Sequence, residues 1–218
     1  PREHLRQAIA GLQRYIATPS VAKHRVFVWL YSKTRFFPND QLIVFARDDD
    51  YFFGVLHSKI HEVWALRLGG WLGKGNDARY THTTVFEPFP LPWPPGQEDT
   101  QSEQYQAIAV AAKQLHEERQ AWLDGQVGFR EGMDVTRSRK DRTLTNLYNA
   151  LAAYRGKKKV KVKAVAGDFA PRLDELHRVL DAAVCHAYGW EIDILDDEEA
   201  ILSRLLALNL QRAQKSIE

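Results

Sequence analysis

Apolar residues recur at helical spacing near the start of the chain and again throughout its second half. Leu5, Ile9, Leu12 and Ile16 lie three or four positions apart, which predicts an amphipathic helix over residues 2–17. The same spacing predicts four later helices, over residues 103–124, 143–155, 171–188 and 197–213. We therefore expect the second half of the chain to form a helical bundle.

Runs of β-branched and aromatic residues predict strands in the first half. They cover residues 26–31, 41–46 and 79–89, and Phe37-Pro38-Asn39-Asp40 favours a turn between the first two. The prolines that follow, from Pro88 to Pro95, exclude both a helix and a central strand. They predict an extended connector.

A further helix is expected over residues 51–68, because its start and its end are both marked. Asp48-Asp49-Asp50 provides carboxylates for the amide groups of the first turn, and Gly69-Gly70 ends the helix. Taken together, the patterns predict an α+β fold. A small β-sheet with packed helices occupies residues 1–95, and an α-helical bundle occupies residues 96–218.

Composition limits the class of protein. The 218 residues are 44% hydrophobic and 27% charged, which is typical of a globular protein. One cysteine excludes an internal disulfide framework, and no apolar run is long enough to cross a bilayer. Because the N-terminus is charged and amphipathic rather than signal-like, we expect a soluble, cytoplasmic protein.

Positive charge is unevenly distributed. Residues 1–96 hold 12 Lys and Arg against 8 Asp and Glu, whereas residues 97–218 hold 18 against 20. The segment from Arg130 to Lys163 nevertheless contains 11 basic and three acidic residues. Such a segment suits a polyanionic partner, although a solvated basic loop would have the same composition.

Several catalytic and metal-binding patterns are excluded. His57 and His61 share a helical spacing, but the pattern lacks the glutamate of a zinc protease, so surface histidines are the expectation. The glycines of residues 69–75 have neither phosphate-loop spacing nor a preceding strand. The acidic run Asp196-Asp197-Glu198-Glu199 is interpreted as a helix cap.

Candidate DNA contacts form two groups. The residues near the glycine-rich loop and the predicted strand ends are Lys74, Asn76, Asp77, Arg79, His82, Lys23, His24, Arg25 and Lys33. Possible phosphate contacts in the basic segment are Lys157, Lys158, Lys159, Lys161 and Lys163. Scattered surface charge explains the strand-end residues equally well, and a lysine-protected edge strand would explain KKKVKVK.

Five blocks of sequence resemble a known family. TPSVAKHRVFVWL and the stretch from DDDYFFGVLHSKIHEVWALRLGG to PFPLPWP are similar to the target-recognition domain of MmeI-like adenine-specific DNA methyltransferases. TLTNLYNAL, LDELHRVLDAAVCHAYGW and EEAILSRLLALNLQRA resemble the C-terminal helical domain of the same restriction-modification enzymes. The blocks span most of the chain and occur in the family's order.

This resemblance implies a division of labour. S-adenosylmethionine and the catalytic motifs belong to an upstream methyltransferase domain of the same polypeptide, because the motifs are missing from this chain. The chain itself would contact double-stranded DNA and read its sequence. By chemistry, Arg79 or Lys74 suits guanine O6 and N7, Asn76 suits adenine, and Asp77 suits the cytosine amine.

Two other interpretations stay open at this level. The aromatic and proline-rich segments could dock onto another protein, in which case DNA affinity that depends on salt is not expected. A self-contained enzyme is disfavoured by the missing motifs, and binding of S-adenosylmethionine by the chain would favour it again.

Overall fold

A computed structural model describes residues 2–33, 38–72, 77–127, 139–156 and 161–215. The fold combines two small antiparallel sheets with packed helices, which confirms the predicted α+β class. Its strands are β1 (Arg14–Pro19), β2 (Val21–Ala22), β3 (Val28–Tyr31), β4 (Leu42–Phe45), β5 (Trp71–Leu72) and β6 (Asp77–Arg79). Its helices include α1 (Arg2–Ile9), α2 (Asp50–His57), α3 (Lys59–Leu68), α4 (Glu103–Leu123), α5 (Leu144–Tyr154), α6 (Ala164–Gly167), α7 (Ala170–Ala187) and α8 (Glu198–Lys215).

The N-terminal helix is shorter than predicted. It ends at Ile9, and residues 14–19 form β1, the central strand of the first sheet, whose strand order is β3-β1-β4. The prediction of a helix through residue 17 was therefore wrong. Tyr15, Ile16, Ala17 and Thr18 are all buried, so both sides of this strand are covered. Burial of consecutive residues suits a central strand and overrides the helical spacing.

The two predicted strands at residues 26–31 and 41–46 are confirmed as β3 and β4. They belong to the same sheet but lie on opposite sides of β1. The connection between them contains an Asx turn, in which Asn39 Oδ1 accepts the backbone N–H of Gln41 at 3.1 Å. Phe37, which was included in the predicted turn, lies outside the described residues.

The predicted helix over residues 51–68 is interrupted. Asp49 caps its start, as expected, with Oδ1 accepting the N–H of Phe52 at 2.7 Å. Ser58 then ends α2 in an extended conformation and caps α3 by accepting the N–H of His61. A hydroxyl that caps the next helix explains why one helical pattern gives two helices. Gly69 ends α3, also as predicted.

Residues 79–89 do not form the predicted strand. β6 ends at Arg79, and residues His82–Phe86 form one turn of π-helix. This turn buries Val85, whose carbonyl oxygen accepts Trp64 Nε1 at 2.8 Å. Packing against α3 therefore prevails over the β propensity of the segment.

The proline-rich connector forms neither helix nor strand, as predicted. Its carbonyl oxygens nevertheless accept hydrogen bonds from the C-terminal helices. Tyr188 Oη donates to Pro90 O at 2.8 Å, and Asn209 Nδ2 donates to Pro88 O at 2.7 Å. The connector is thus held against the helical part of the chain.

The hydrophobic core continues across residue 95. α2 packs on α4, and α4 packs on α7, so one cluster of buried residues joins the sheet-containing part to the bundle. The division into domains 1–95 and 96–218 stays a prediction from the sequence. Within the described residues, no helix has both the length and the apolar character needed to span a bilayer.

Candidate nucleic-acid interface

The second sheet is a short ribbon, with strand order β2-β6-β5. Val21 pairs with Arg79, and Leu72 pairs with Asp77. Directly paired residues of antiparallel strands project from the same side, and so do residues two apart in one strand. These four side chains therefore form one face, which we call the open face because Leu72, Asp77 and Arg79 are exposed.

The opposite side of the ribbon faces the protein. Ala78 is buried there, while its register partner Trp71 is 53% exposed at the edge strand. The structure therefore brings the predicted site residues Asp77 and Arg79 together on the outward side. Lys74 and Asn76 of the same predicted site lie outside the described residues.

Arg25 holds the ribbon against the first sheet. Its Nη2 donates to Ala78 O at 2.8 Å, and its Nη1 donates to Thr18 Oγ1 at 3.1 Å and to the Pro19 carbonyl. The guanidinium also lies 5.0 Å from the ring centroid of Tyr80. Burial lowers the pKa of Arg25 to about 10, so the group stays charged at neutral pH. These contacts assign Arg25 to the positioning of β6.

Lys23 and His24 connect the end of β2 with helix α5. Lys23 Nζ and His24 Nε2 lie 2.7 and 2.9 Å from the same oxygen, Asn149 Oδ1. Lys23 is exposed and His24 is half-buried, so one of these two predicted contacts is accessible beside the ribbon. The shared amide fixes both side chains relative to the helical part.

Lys33 and His82 are not gathered at the open face. Lys33 follows Tyr31, which pairs with Arg14 at the start of β1, whereas β2 follows the end of β1 at Pro19. The length of β1 separates these ends by about 17 Å. His82 is exposed at the beginning of the π-helical turn, beyond the end of β6.

The predicted phosphate contacts of the basic segment are only partly described. Lys157, Lys158 and Lys159 lie outside the described residues. Lys161 is exposed, and Lys163 Nζ forms an ion pair with Asp141 Oδ1 at 2.9 Å. Residues 161–163 are not a strand, so the edge-strand interpretation receives no support from them.

His57 and His61 are core residues, so the expectation of surface histidines was wrong. His57 is buried, and its Nε2 accepts the Phe27 N–H at 3.2 Å and Arg119 Nη1 at 2.9 Å. His61 Nδ1 donates to Leu56 O at 2.8 Å, while its Nε2 lies 3.0 Å from Tyr80 Oη. Burial lowers the pKa of His61 to about 4, which keeps the ring neutral.

The polar network of His57 extends into the helical bundle. Arg119 donates to Phe27 O at 2.8 Å and to Tyr148 Oη at 3.2 Å, and Tyr148 Oη lies 3.1 Å from His177 Nε2. Sequence reasoning missed this network, because its members come from distant segments and no spacing connects them. It borders a cavity of about 60 Å³, large enough for water rather than for an organic cofactor.

Asp181 completes the polar surroundings of this cavity. Its Oδ1 accepts the Lys59 N–H at 2.6 Å, at the first residue of α3. Burial raises the pKa of Asp181 to about 7, and the hydrogen bond from Lys59 acts in the opposite direction. Among the described residues no group of three or more His, Cys, Asp or Glu side chains is arranged to hold a metal ion.

Comparison of the chain with protein families, with characterised proteins and with solved structures finds no match. The likeness to MmeI-like enzymes therefore stays a prediction from the sequence. The arrangement around the ribbon is the structural basis for a functional proposal.

Proposed function

We propose that this chain is the DNA-recognition part of an S-adenosylmethionine-dependent adenine-N6 DNA methyltransferase of the restriction-modification type. An upstream domain of the same polypeptide would bind the cofactor and the flipped adenine. No residue of this chain is assigned to catalysis. A cytoplasmic location follows from this role, since the enzyme acts on cellular DNA.

The observation that carries the proposal is the register of the ribbon, in which β6 pairs with β2 on one side and with β5 on the other. Asp77 and Arg79 project from the same exposed side and are two residues apart, about 7 Å along the strand. Successive bases of one DNA strand are 3.4 Å apart along the helix axis. The two side chains can therefore contact base pairs that are about two steps apart.

The chemistry of the two side chains suits the major groove. This groove admits a two-stranded β-ribbon, which is the width of the β5–β6 pair, and its base edges offer both hydrogen-bond donors and acceptors. An arginine at position 79 can donate two bonds to guanine O6 and N7, and Asp77 can accept from cytosine N4. Lys23 directly follows β2 and is exposed, and its Nζ donates to Asn149 Oδ1. A second hydrogen bond from this Nζ to a phosphate would position the ribbon without specifying sequence.

Selection from a randomised 20-base-pair duplex library tests this function. We expect the chain to enrich a defined sequence, and Arg79→Ala to lose discrimination at one base pair, by about 1–3 kcal/mol. Arg178→Ala is the matched control, because Arg178 is exposed on α7 and carries the same charge. Failure to enrich any sequence, or an unchanged preference in Arg79→Ala, would overturn the proposal.

A protein-interaction module is the second candidate function. It is favoured by the two adjacent apolar side chains of β5, since Trp71 is 53% and Leu72 is 44% exposed. Exposed apolar groups on an edge strand are typical of contacts with another protein. This alternative predicts that the affinity for duplex DNA is absent at 50 mM salt, whereas recognition predicts affinity that falls between 50 and 200 mM.

A further inference from the structure

Leu72 occupies an unusual position on the open face. It is 44% exposed and pairs directly with Asp77, so their side chains project together from the ribbon. Opposed residues of an antiparallel pair have Cβ atoms about 5 Å apart. The exposed part of this aliphatic side chain stays in water beside a carboxylate and adds no burial energy in the isolated chain.

The same combination repeats across the sheet. Val21 pairs with Arg79, so each charged residue of the open face has an aliphatic residue directly opposite it. The face therefore presents hydrogen-bonding and apolar groups side by side. A partner that fits it displays the same two kinds of group at a spacing of a few ångströms.

The major groove of DNA is such a surface. Its base edges carry hydrogen-bond donors and acceptors, and the apolar group that they display is the 5-methyl group of thymine. A ribbon that places Asp77 at a base amine holds Leu72 on the adjacent strand, about 5 Å to one side, within reach of a neighbouring base. Burial of a methyl group against leucine would remove both from water.

We propose that Leu72 contacts the 5-methyl group of a thymine next to the base whose amine hydrogen-bonds Asp77. The inference rests on the proposed function and extends it, because it makes Leu72 a determinant of specificity. It also assigns a partner to one of the two exposed apolar residues of β5. Trp71 is excluded from this contact by the register, which puts it on the side of buried Ala78.

Replacement of thymidine by deoxyuridine tests the proposal, since the two nucleosides differ only by the 5-methyl group of the base. The sequence enriched by the wild-type chain is synthesised as a duplex, and each thymine in turn is replaced by deoxyuridine. Fluorescence anisotropy then gives Kd for the wild type, Leu72→Ala, Leu72→Met and Trp71→Ala. Circular dichroism of each variant verifies that the fold is retained.

We expect Kd to change when the thymine at one position of the duplex is replaced. Loss of its methyl group should raise Kd about fourfold for the wild type and for Trp71→Ala, as burial of one methyl group implies. Leu72→Ala should bind the thymine and deoxyuridine duplexes equally, and Leu72→Met should restore part of the difference. The proposal is overturned if the enriched sequence has no responsive thymine, or if Leu72→Ala still discriminates.

The outcomes also separate this inference from the proposed function. A chain that enriches no sequence overturns both. Only the role of Leu72 is overturned if the chain enriches a sequence, Arg79→Ala loses one base preference, and no thymidine replacement changes Kd.

Discussion

Gly69 lies against the backbone of Arg79. A Cβ atom at Gly69 would be 2.5 Å from the carbonyl oxygen of Arg79 and 2.6 Å from that of Ala65. Contacts this short do not occur for real side chains, so the end of α3 and strand β6 can approach this closely only at a glycine. The position of the ribbon therefore depends on the residue that ends the helix.

Gly69→Ala should displace the ribbon while most of the core is retained. The added methyl group must push Arg79 away from α3, which moves the open face and weakens binding of the enriched duplex. Anisotropy measures that loss, and thermal unfolding measures the cost in stability. Gly70→Ala is the matched control, because a Cβ there meets no atom within 4 Å. Equal DNA affinities for the two variants would contradict this account.

Gly54→Ala should destabilise the fold although alanine is the better helix former. The added Cβ would lie 2.8 Å from Ile108 Cγ2 and 2.9 Å from Ala112 Cβ, where α2 packs on α4. Overpacking of a core contact costs about 1–3 kcal/mol, against a gain in helix propensity of about 1 kcal/mol. Urea unfolding of Gly54→Ala beside Gly11→Ala, whose Cβ meets no atom, gives the difference. An increase in stability for Gly54→Ala would show that α4 can move away.

The C-terminal helices and the helix caps were predictable because their signals are local. Apolar positions three and four apart placed α4, α5, α7 and α8 within one or two residues of their observed ends. Asp49 and Gly69 mark their helix ends through side-chain and backbone chemistry that neighbouring residues supply. The fold class followed from these elements.

The elements that were missed depend on distant packing. β1 was assigned to a helix because Leu12 and Ile16 continue the spacing of α1, and its burial on both sides arises only when β3 and β4 flank it. The sequence predicted surface positions for His57 and His61, because their partners are not neighbours in the chain. Arg119, which contacts His57, is 62 residues away, and Tyr80, which contacts His61, is 19 residues away. Within the candidate site, the sequence identified which residue types could contact DNA. It did not show that Asp77 and Arg79 lie on the same face, because this depends on how the strands pair.

Acid should destabilise the protein through its buried histidines. Burial lowers the pKa of His61 to about 4 and of His177 to about 3, and it lowers the pKa of His57 as well. The unfolded chain binds these protons below about pH 6.5, while the folded chain does not, so stability falls as pH decreases below that value. His61 and His177 each contribute a loss of about 2 kcal/mol at pH 5, and His57 adds to it in the same direction.

Asp181 has the opposite effect on stability from the buried histidines, because acid stabilises the folded chain at this residue. Its pKa is raised to about 7, so the folded chain holds a proton that the unfolded chain releases above about pH 4. Lowering the pH from 7 to 5 therefore gains stability at this residue and offsets about one histidine. Urea unfolding at pH 5, 6 and 7 should still show a net decrease. His61→Gln should reduce the proton uptake on unfolding by about one, and an unchanged pH slope would contradict the buried neutral state of His61.

The basic segment offers a test of phosphate contact that is independent of the ribbon. The sequence predicts that Lys157, Lys158 and Lys159 contact DNA phosphates, and each lost contact lowers the slope of log K against log salt by about 0.9. Replacing all three by Ala should therefore weaken binding to every duplex and flatten the salt dependence, without changing the preferred sequence. Lys113→Ala is the single-site control, because Lys113 is exposed on α4 and pairs with Glu117. An unchanged slope in titrations from 50 to 200 mM salt would exclude these lysines from the interface.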